Sequence, residues 1–282
     1  MKLLRYGPVG QEKPGILDNE GNVRDLSAHV DDIGGDVLTP DGLAKIAALN
    51  VTDLNTVNSD PRIGTCVGDI GKFMCIGLNY SDHAAETNMP IPEEPILFAK
   101  FNSAISGPND DVIMPRGSSK MDWEVELGIV IGSKAKYVSE DQALDYVAGF
   151  CVINDVSERE YQLEGTGQWV KGKACDTFGP VGPWMVTKDE VGDPQNLGLW
   201  LDVNGNRCQD GSTSTMIFSA AHIVSYLSNL FTLYPGDVIA TGTPPGVGAG
   251  MTPPMFLKVG DQMRLGIEGL GEQNQVVVAD VA

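Results

Sequence analysis

The stretch that most constrains the fold is residues 121–132, in which two glutamates alternate with apolar residues and glycines. This pattern predicts a β-strand. Side chains along a strand point alternately to opposite faces, so Glu124 and Glu126 would share one face while Trp123 and Leu127 face a core. Two neighbouring carboxylates are costly to bury, but a divalent cation with oxygen ligands removes that cost. The alternative interpretation is a strand with a solvated acidic face.

The charge of the chain restricts its partners. The chain has 282 residues, a formal net charge of −19 and a pI of about 4.3. Such an anion does not bind nucleic acid or an anionic membrane through a general positive field. An anionic substrate would need local cations, which a metal and a few placed lysines or arginines could supply.

The length of the chain and a change in sequence character near residue 71 suggest a small N-terminal domain, residues 1–70, and a larger domain, residues 71–282. In the first part, Asn19 to Asn22 is a hairpin turn signal, and Thr39 caps a predicted helix. We find no apolar run that suggests a membrane span and no signal peptide pattern. The five cysteines form no Cys-x-x-Cys pair, so we expect reduced cysteines in a cytoplasmic protein.

A candidate catalytic pair follows a buried strand at residues 73–78. His83 and Glu86 are three residues apart and would share one face of a short helix. A carboxylate beside an imidazole fixes its tautomer and raises its basicity. A surface pair of little consequence is the alternative. With the proline-rich residues 90–95, this helix has the composition of a lid, or of an ordinary connection.

A third acid, Asp155, ends another predicted strand just before a helix. Ser157 and Glu160 form a capping box there, and a second capping box begins at Ser139. Arg159 and Gln162 would share a face of the helix that follows Asp155.

Three more residues are candidate binding groups. Lys100 lies on a predicted strand and Lys173 follows the Arg159 helix. Thr243 lies in the glycine- and proline-rich loop 241–248, which would expose backbone N–H groups and a hydroxyl to a ligand. Nothing in this loop indicates a dinucleotide fold.

Together these motifs resemble the fumarylacetoacetate hydrolase family. The resemblance covers roughly residues 71–282. It depends on Gly-Leu-Asn-Tyr-x-Asp-His-x-x-Glu at 77–86, Phe-x-Lys at 98–100, Asp-x-Glu-x-Glu-Leu-x-x-Val-x-Gly at 122–132, Asn-Asp-x-Ser-x-Arg at 154–159, Gly-Lys at 172–173 and Thr-Gly-Thr-Pro at 241–244.

The resemblance implies an α+β, β-rich fold, a mixed β-sandwich or β-roll with a small N-terminal domain, and a homodimer. It implies Mg²⁺, with Mn²⁺ or Ca²⁺ as alternatives, bound by Glu124, Glu126 and Asp155. The implied roles of the other residues are water activation by His83 and Glu86, substrate or oxyanion binding by Arg159, Gln162 and the catalytic Lys173, and lining of the pocket by Lys100 and Thr243.

The function that we predict is hydrolysis of a carbon–carbon bond in a 2,4-diketo acid, giving pyruvate and a carboxylic acid. The substrate would be an acylpyruvate or a 2,4-diketo-3-deoxy sugar acid, because residues 2–7 resemble the sugar-acid subgroup. Members of that subgroup are also labelled ureidoglycolate lyase or fumarylpyruvate hydrolase. The alternatives are oxaloacetate decarboxylation, tautomerisation or hydration at the same metal site, and metal binding without catalysis.

Overall fold

The computed structural model describes residues 1–57, 60–82 and 90–281. In these ranges seventeen strands form three sheets. The strands are β1 (Lys2–Tyr6), β2 (Lys13–Leu17), β3 (Val23–Asp25), β4 (Phe73–Gly77), β5 (Ile96–Lys100), β6 (Ile105–Ser106), β7 (Val112–Met114), β8 (Met121–Asp122), β9 (Val125–Ile131), β10 (Val147–Asn154), β11 (Ser157–Glu158), β12 (Gly179–Thr187), β13 (Gly198–Val203), β14 (Asn206–Ser212), β15 (Val238–Ala240), β16 (Gln262–Ile267) and β17 (Gly271–Ala279).

The helices are few and short. The α-helices in the described ranges are α1 (Pro40–Ala47), α2 (Arg159–Leu163), α3 (Val170–Lys173), α4 (Lys188–Val191) and α5 (Ala220–Leu230). The 3₁₀ helices span Gly35–Leu38, Val51–Asp53, Asn102–Ala104, Glu140–Tyr146, Thr213–Thr215 and Gly248–Gly250. Within the described residues, none of the helices combines the length and the apolar character that crossing a bilayer requires.

The sheets are mixed. The large sheet has the order β3-β2-β1-β12-β10-β9-β15-β4-β5, and β6 also pairs with β12. A five-stranded sheet has the order β14-β13-β16-β17-β7, and β8 pairs with β11. Three pairs are parallel (β15 with β4, β12 with β6, β17 with β7), while the other pairs are antiparallel. The prediction of an α+β, β-rich fold is confirmed.

The main core lies between the two larger sheets. Leu127 and Phe150 of the large sheet belong to the same buried cluster as Leu201 and Leu265 of the five-stranded sheet. Val224 of α5 closes this cluster. Because apolar burial is the dominant favourable term in folding, this layer fixes the face that β9 and β10 present inward.

The opposite face of the large sheet is covered by the N-terminal residues. Leu3, Ile16 and Leu38 pack in one cluster with Val130 and Ile153 of the central strands. In addition, β1 pairs with β12, so the N-terminal strands continue the large sheet. The domain boundary at residue 70 stays a prediction.

Two local predictions in the N-terminal part are confirmed. β2 and β3 pair as a hairpin across the predicted turn, with Leu17 opposite Val23. α1 begins after Thr39, whose hydroxyl oxygen accepts a hydrogen bond from Gly42 N at 3.2 Å.

The predicted strand at residues 121–132 is interrupted. β8 pairs with β11, whereas β9 pairs with β10 and β15, so the chain changes sheets between Asp122 and Val125. The Asp122 carboxylate accepts a hydrogen bond from Trp123 N at 2.9 Å at this point. Glu124 therefore lies at a strand break rather than inside a strand.

Both predicted capping boxes are wrong. The Ser139 hydroxyl contacts Gln142 Oε1 at 3.1 Å instead of a backbone N–H, and a 3₁₀ helix follows it. Ser157 is paired in β11, and the cap of α2 is Glu158, whose Oε2 accepts from Tyr161 N at 2.8 Å. Glu158, the residue after Ser157, accepts a hydrogen bond from a backbone N–H of the first turn equally well, so the spacing alone did not identify the cap.

The buried side chain of Gln209 joins the five-stranded sheet to the large sheet. Its Oε1 accepts from Val125 N at 2.9 Å, and its Nε2 donates to Thr243 Oγ1 at 2.8 Å and to Pro244 O at 2.9 Å. Burying a backbone N–H or C=O requires such a partner.

We predict that Gln209→Ala lowers the free energy of unfolding by about 3 kcal/mol, because it leaves buried polar groups unpaired at about 1–3 kcal/mol each. The urea midpoint at constant m-value measures this loss. Gln262→Ala, at an exposed glutamine of β16, is the matched control. Equal midpoints for the two variants would show that water replaces the lost hydrogen bonds.

Candidate metal and active site

The ends of four neighbouring strands lie side by side at one end of the large sheet. β9 begins there, and β10, β4 and β15 end there. Glu126 lies opposite Ile153, and Asp155 N donates to Glu124 O at 2.9 Å. The register therefore brings Asp155, from the end of β10, beside the two glutamates.

The three carboxylates form a buried cluster. One oxygen from each of Glu124, Glu126 and Asp155 lies within 4.8 Å of the other two. Glu124 is only 6% exposed and Glu126 only 1%, so a solvated acidic face is excluded. Burial, and then the neighbouring Asp155 and Glu124, raise the pKa of Glu126 well above its usual range.

Two lysines compensate the negative charge. Lys173 Nζ lies 2.8 Å from Glu124 Oε2 and 3.0 Å from Asp155 Oδ2, and Lys100 Nζ lies 2.6 Å from Asp155 Oδ1. Burial alone would raise the pKa of Glu124, but Lys173 and Arg159 lower it to about 2. Burial opposes the charge on Lys173, yet Asp155 and Glu124 outweigh it and raise the lysine's pKa.

Lys100 lies behind Asp155, away from the cavity. Its ammonium also donates to Val156 O at 3.0 Å and to the carbonyl of Lys173. The resemblance places Lys100 on the pocket wall, whereas the cavity is lined without it. A role in binding substrate stays a prediction, and the observed contacts instead favour a role in orienting Asp155.

Arg159 and Gln162 share one face of α2, as predicted. Arg159 Nη1 donates to Gln162 Oε1 at 3.0 Å, and its Nη2 lies 2.7 Å from Glu124 Oε1. Within the described part of the chain, Gln162 Nε2 has no hydrogen bond, although the side chain is 3% exposed and lines the cavity. This amide is therefore available to a bound molecule.

The sequence analysis gave no role to Asp122, the first residue of the motif at 122–132. It is fully buried, and its Oδ2 accepts from Arg159 Nε at 2.8 Å. The same carboxylate accepts from Gly248 N at 2.7 Å and Ala249 N at 3.0 Å. It thereby fixes the loop that forms one cavity wall. A signal existed, because Asp122 begins the alternating acidic series that continues with Glu124.

The carboxylates open into a cavity of about 270 Å³. Gly242 N donates to Glu126 Oε2 at 2.8 Å, and the Thr243 hydroxyl donates to Val125 O at 2.9 Å. The lining residues are Ile76, Gly77, Leu78, Phe98, Glu124, Glu126, Arg159, Gln162, Leu163, Trp169, Lys173, Gly242, Thr243, Val247, Ala249 and Gly250. Arg159, Gln162, Lys173 and Thr243 are therefore among the lining residues, and their roles stay predictions.

The predicted pair His83 and Glu86 lies outside the described residues, as does the larger part of the predicted lid helix. Of the proline-rich stretch that completes the proposed lid, residues 90–95 are described and precede β5.

The donor set fits a hard divalent cation. Such ions take carboxylate oxygens as ligands, and a bound cation offsets the repulsion between neighbouring carboxylates. Asp155 Oδ1 is buried and has the Lys100 ammonium nearby, but it has no aligned hydrogen bond among the described residues. A carboxylate oxygen has two lone pairs, so Asp155 Oδ1 keeps acceptor capacity beside its ion pair with Lys100.

We predict that Glu126→Gln abolishes Mg²⁺ and Mn²⁺ binding while the fold survives, because the variant removes one charged ligand and keeps the shape. Isothermal titration calorimetry measures binding, and circular dichroism checks the fold. Glu272→Gln, on the exposed Glu272–Arg264 pair, is the control. Unchanged affinity in Glu126→Gln would remove this residue from the ligand set.

Comparison with known proteins identifies similar chains along the whole length. Residues 72–278 match the family described as fumarylacetoacetate (FAA) hydrolase, C-terminal. A provisionally named hydrolase of Burkholderia orbicola (strain MC0-3) is 64% identical over 276 residues, which are 98% of each chain.

Two solved structures share the fold. The 2-hydroxyhepta-2,4-diene-1,7-dioate isomerase from Mycobacterium marinum has 34% identity and a TM-score of 0.78, with 100% of both chains covered. The maleylpyruvate hydrolase from Sphingobium sp. SYK-6, in complex with manganese(II) and pyruvate, has 28% identity and a TM-score of 0.83, with 99% of both chains covered.

Proposed function

Because the chain belongs to the fumarylacetoacetate hydrolase family, we propose that it is a metal-dependent hydrolase of 2,4-diketo acids. It would cleave the bond between C3 and C4, releasing pyruvate and a carboxylic acid. The observation that carries this proposal is the buried cluster of Glu124, Glu126 and Asp155, which opens into a small cavity. The manganese and pyruvate in the similar maleylpyruvate hydrolase support it.

Glu124, Glu126 and Asp155 would hold Mg²⁺, with Mn²⁺ or Ca²⁺ as alternatives. A bound divalent cation supplies Lewis acidity toward the 2-oxo acid end and neutralises negative charge there. This end is the part that all the candidate substrates share.

The chain's own cations act beside this centre. Lys173 is held beside the proposed metal ligands by its ion pairs with Glu124 and Asp155. Lys173 and Gln162 both line the cavity. Arg159 stays anchored on Asp122 and Glu124. Lys173 and Gln162 are therefore the donors that we assign to the developing oxyanion.

The reaction consumes one water molecule. The hydroxyl of water joins the C4 carbonyl carbon, the electron pair of the broken bond goes to C3, and C3 takes a proton. We assign the removal of the water proton to His83, oriented by Glu86, on the ground of their sequence spacing.

Decarboxylation of oxaloacetate and isomerisation are the rival reactions, and the second is favoured by the similarity to a named isomerase. Acetylpyruvate and oxaloacetate, each with Mg²⁺ or with a chelator, discriminate hydrolysis from decarboxylation. Metal-dependent release of pyruvate and acetate from acetylpyruvate is the expected result. Release of pyruvate from oxaloacetate but not from acetylpyruvate would establish decarboxylation instead.

We predict that His83→Ala lowers kcat/KM for acetylpyruvate by about 10²–10⁴-fold, the usual range for general-base catalysis. Mg²⁺ affinity should stay unchanged, since His83 is not among the proposed ligands. Oxaloacetate decarboxylation, if present, should fall less, because no water is activated. Equal losses in both reactions would give His83 a shared role, and undiminished hydrolysis would remove the proposed base.

A homodimer is the proposed assembly. β5 is the terminal strand of the large sheet, and it exposes 36% of Leu97, with 61% of the adjacent Phe101 exposed. Apolar side chains on an open strand edge favour pairing with another chain.

We predict a dimer at micromolar concentration in sedimentation velocity and a shift toward monomer for Phe101→Glu. Tyr137→Glu, at another exposed aromatic residue, is the control.

The five cysteines are free. Free cysteines agree with a reducing compartment, and we therefore propose a cytoplasmic location.

A further inference from the structure

The cavity has a charged floor and an apolar outer wall. The carboxylates and Lys173 are buried at the floor. Toward solvent the wall is formed by Leu78, Phe98 and Trp169, which are half-buried, and by Leu163, which is 56% exposed. Leu163 thus offers an apolar surface at the mouth, and apolar lining residues complement apolar parts of a ligand.

The outer wall is held in place by close packing. Trp169 meets Phe98 edge to face, with ring centroids 5.5 Å apart. It also rests on Gly77, where a Cβ atom would lie 2.3 Å from the indole ring, so only glycine fits. Phe98 in turn contacts the floor, since Lys173 Nζ lies 5.2 Å from its ring centre. The wall is thus a preformed surface.

No cation on the described wall is free for a second carboxylate. Lys173 and Arg159 are the cationic side chains of the lining, and both are ion-paired at the floor. The nearby Lys171 donates to Thr166 Oγ1 at 3.1 Å and is not on the wall.

A surface ion pair beside Leu163 supplies no further free cation. Glu164 follows Leu163 directly and pairs with Lys120, so that lysine is already neutralised. The chain as a whole carries −19. A carboxylate moved from water onto the apolar wall would lose its hydration without gaining a partner, which is strongly unfavourable.

We propose, on the basis of the proposed function, that the acyl end of the substrate is short, uncharged and apolar, and that the outer wall of Leu163, Trp169 and Phe98 selects it. The substrate class is therefore an alkanoyl- or aroylpyruvate rather than a dicarboxylate or a polyol acid. A cavity of about 270 Å³ is slightly smaller than the usual range for small-molecule sites, about 300–1,000 Å³, which favours a short acyl group.

Two substrates of equal carbon skeleton test this selection. Butanoylpyruvate (2,4-dioxoheptanoate) and succinylpyruvate (2,4-dioxoheptanedioate) differ in a terminal methyl group against a carboxylate. With the Mg²⁺-loaded full chain, kcat/KM should be about 100-fold or more in favour of butanoylpyruvate, because the second charge would be buried unpaired. Equal rates, or faster cleavage of succinylpyruvate, would overturn the inference while leaving the hydrolase intact.

Variants place the selection on the wall. Leu163→Arg should reduce the preference by about tenfold or more, because a charge-assisted hydrogen bond would meet the distal carboxylate. Leu230→Arg, an equal change on an exposed leucine at the end of α5, and Lys171→Ala should leave it unchanged. A change of preference in Lys171→Ala would move recognition of the distal group to that lysine and contradict the proposal.

A binding measurement separates this inference from the reaction. 2-Oxoheptanoate and 2-oxoheptanedioate lack the 4-carbonyl group and cannot be cleaved. Calorimetry should give a Kd about 100-fold lower for the monoacid, by the same desolvation argument. If neither diketo acid is cleaved but the monoacid binds more tightly, the proposed reaction fails and the selection stands. Equal Kd values would reject the selection.

Discussion

The constraint on which the structure depends is the burial of three carboxylates beside one another. Taking one ion out of water costs several kcal/mol, and like charges add to that cost. Lys173 and Lys100 offset it from two sides, and Arg159 reaches Glu124 from a third. Each cation comes from a different element, so β5, α2 and α3 are all required around the ends of β9 and β10.

A polar connection crosses the core behind this cluster. Asn154 Oδ1 accepts from Glu124 N at 3.2 Å, while its Nδ2 donates to Gln275 Oε1 at 3.0 Å in the five-stranded sheet. Gln275 also contacts Gln273, whose amide reaches Val152 O at 2.8 Å. A fully satisfied buried network rigidifies its surroundings. The backbone position of Glu124 is therefore tied to the packing of both larger sheets.

The fold class followed from the family resemblance, and the sequence motifs predicted the charged, amide and hydroxyl side chains that line the cavity but not its apolar residues. The sequence did not predict the break at Trp123, which arises because β8 and β9 pair in different sheets. Lys100 shows the same limit, since its contacts with Asp155 and Val156 depend on strand order. No sequence pattern around Trp169 indicated that it lines the cavity. Its position depends on contact with Gly77, which is distant in the chain.

The central place of β15 governs when the site can form during synthesis. This strand lies between β9 and β4, with Val238 opposite both Val130 and Phe73, and Gly242 behind it supports Glu126. Such distant pairings close late, since loop entropy must be overcome before the contacts form. A nascent chain that has left the ribosome only as far as α5 already carries every acid of the cluster, but without the strand that supports them. The carboxylate cluster is therefore completed only after translation of β15, together with the large sheet.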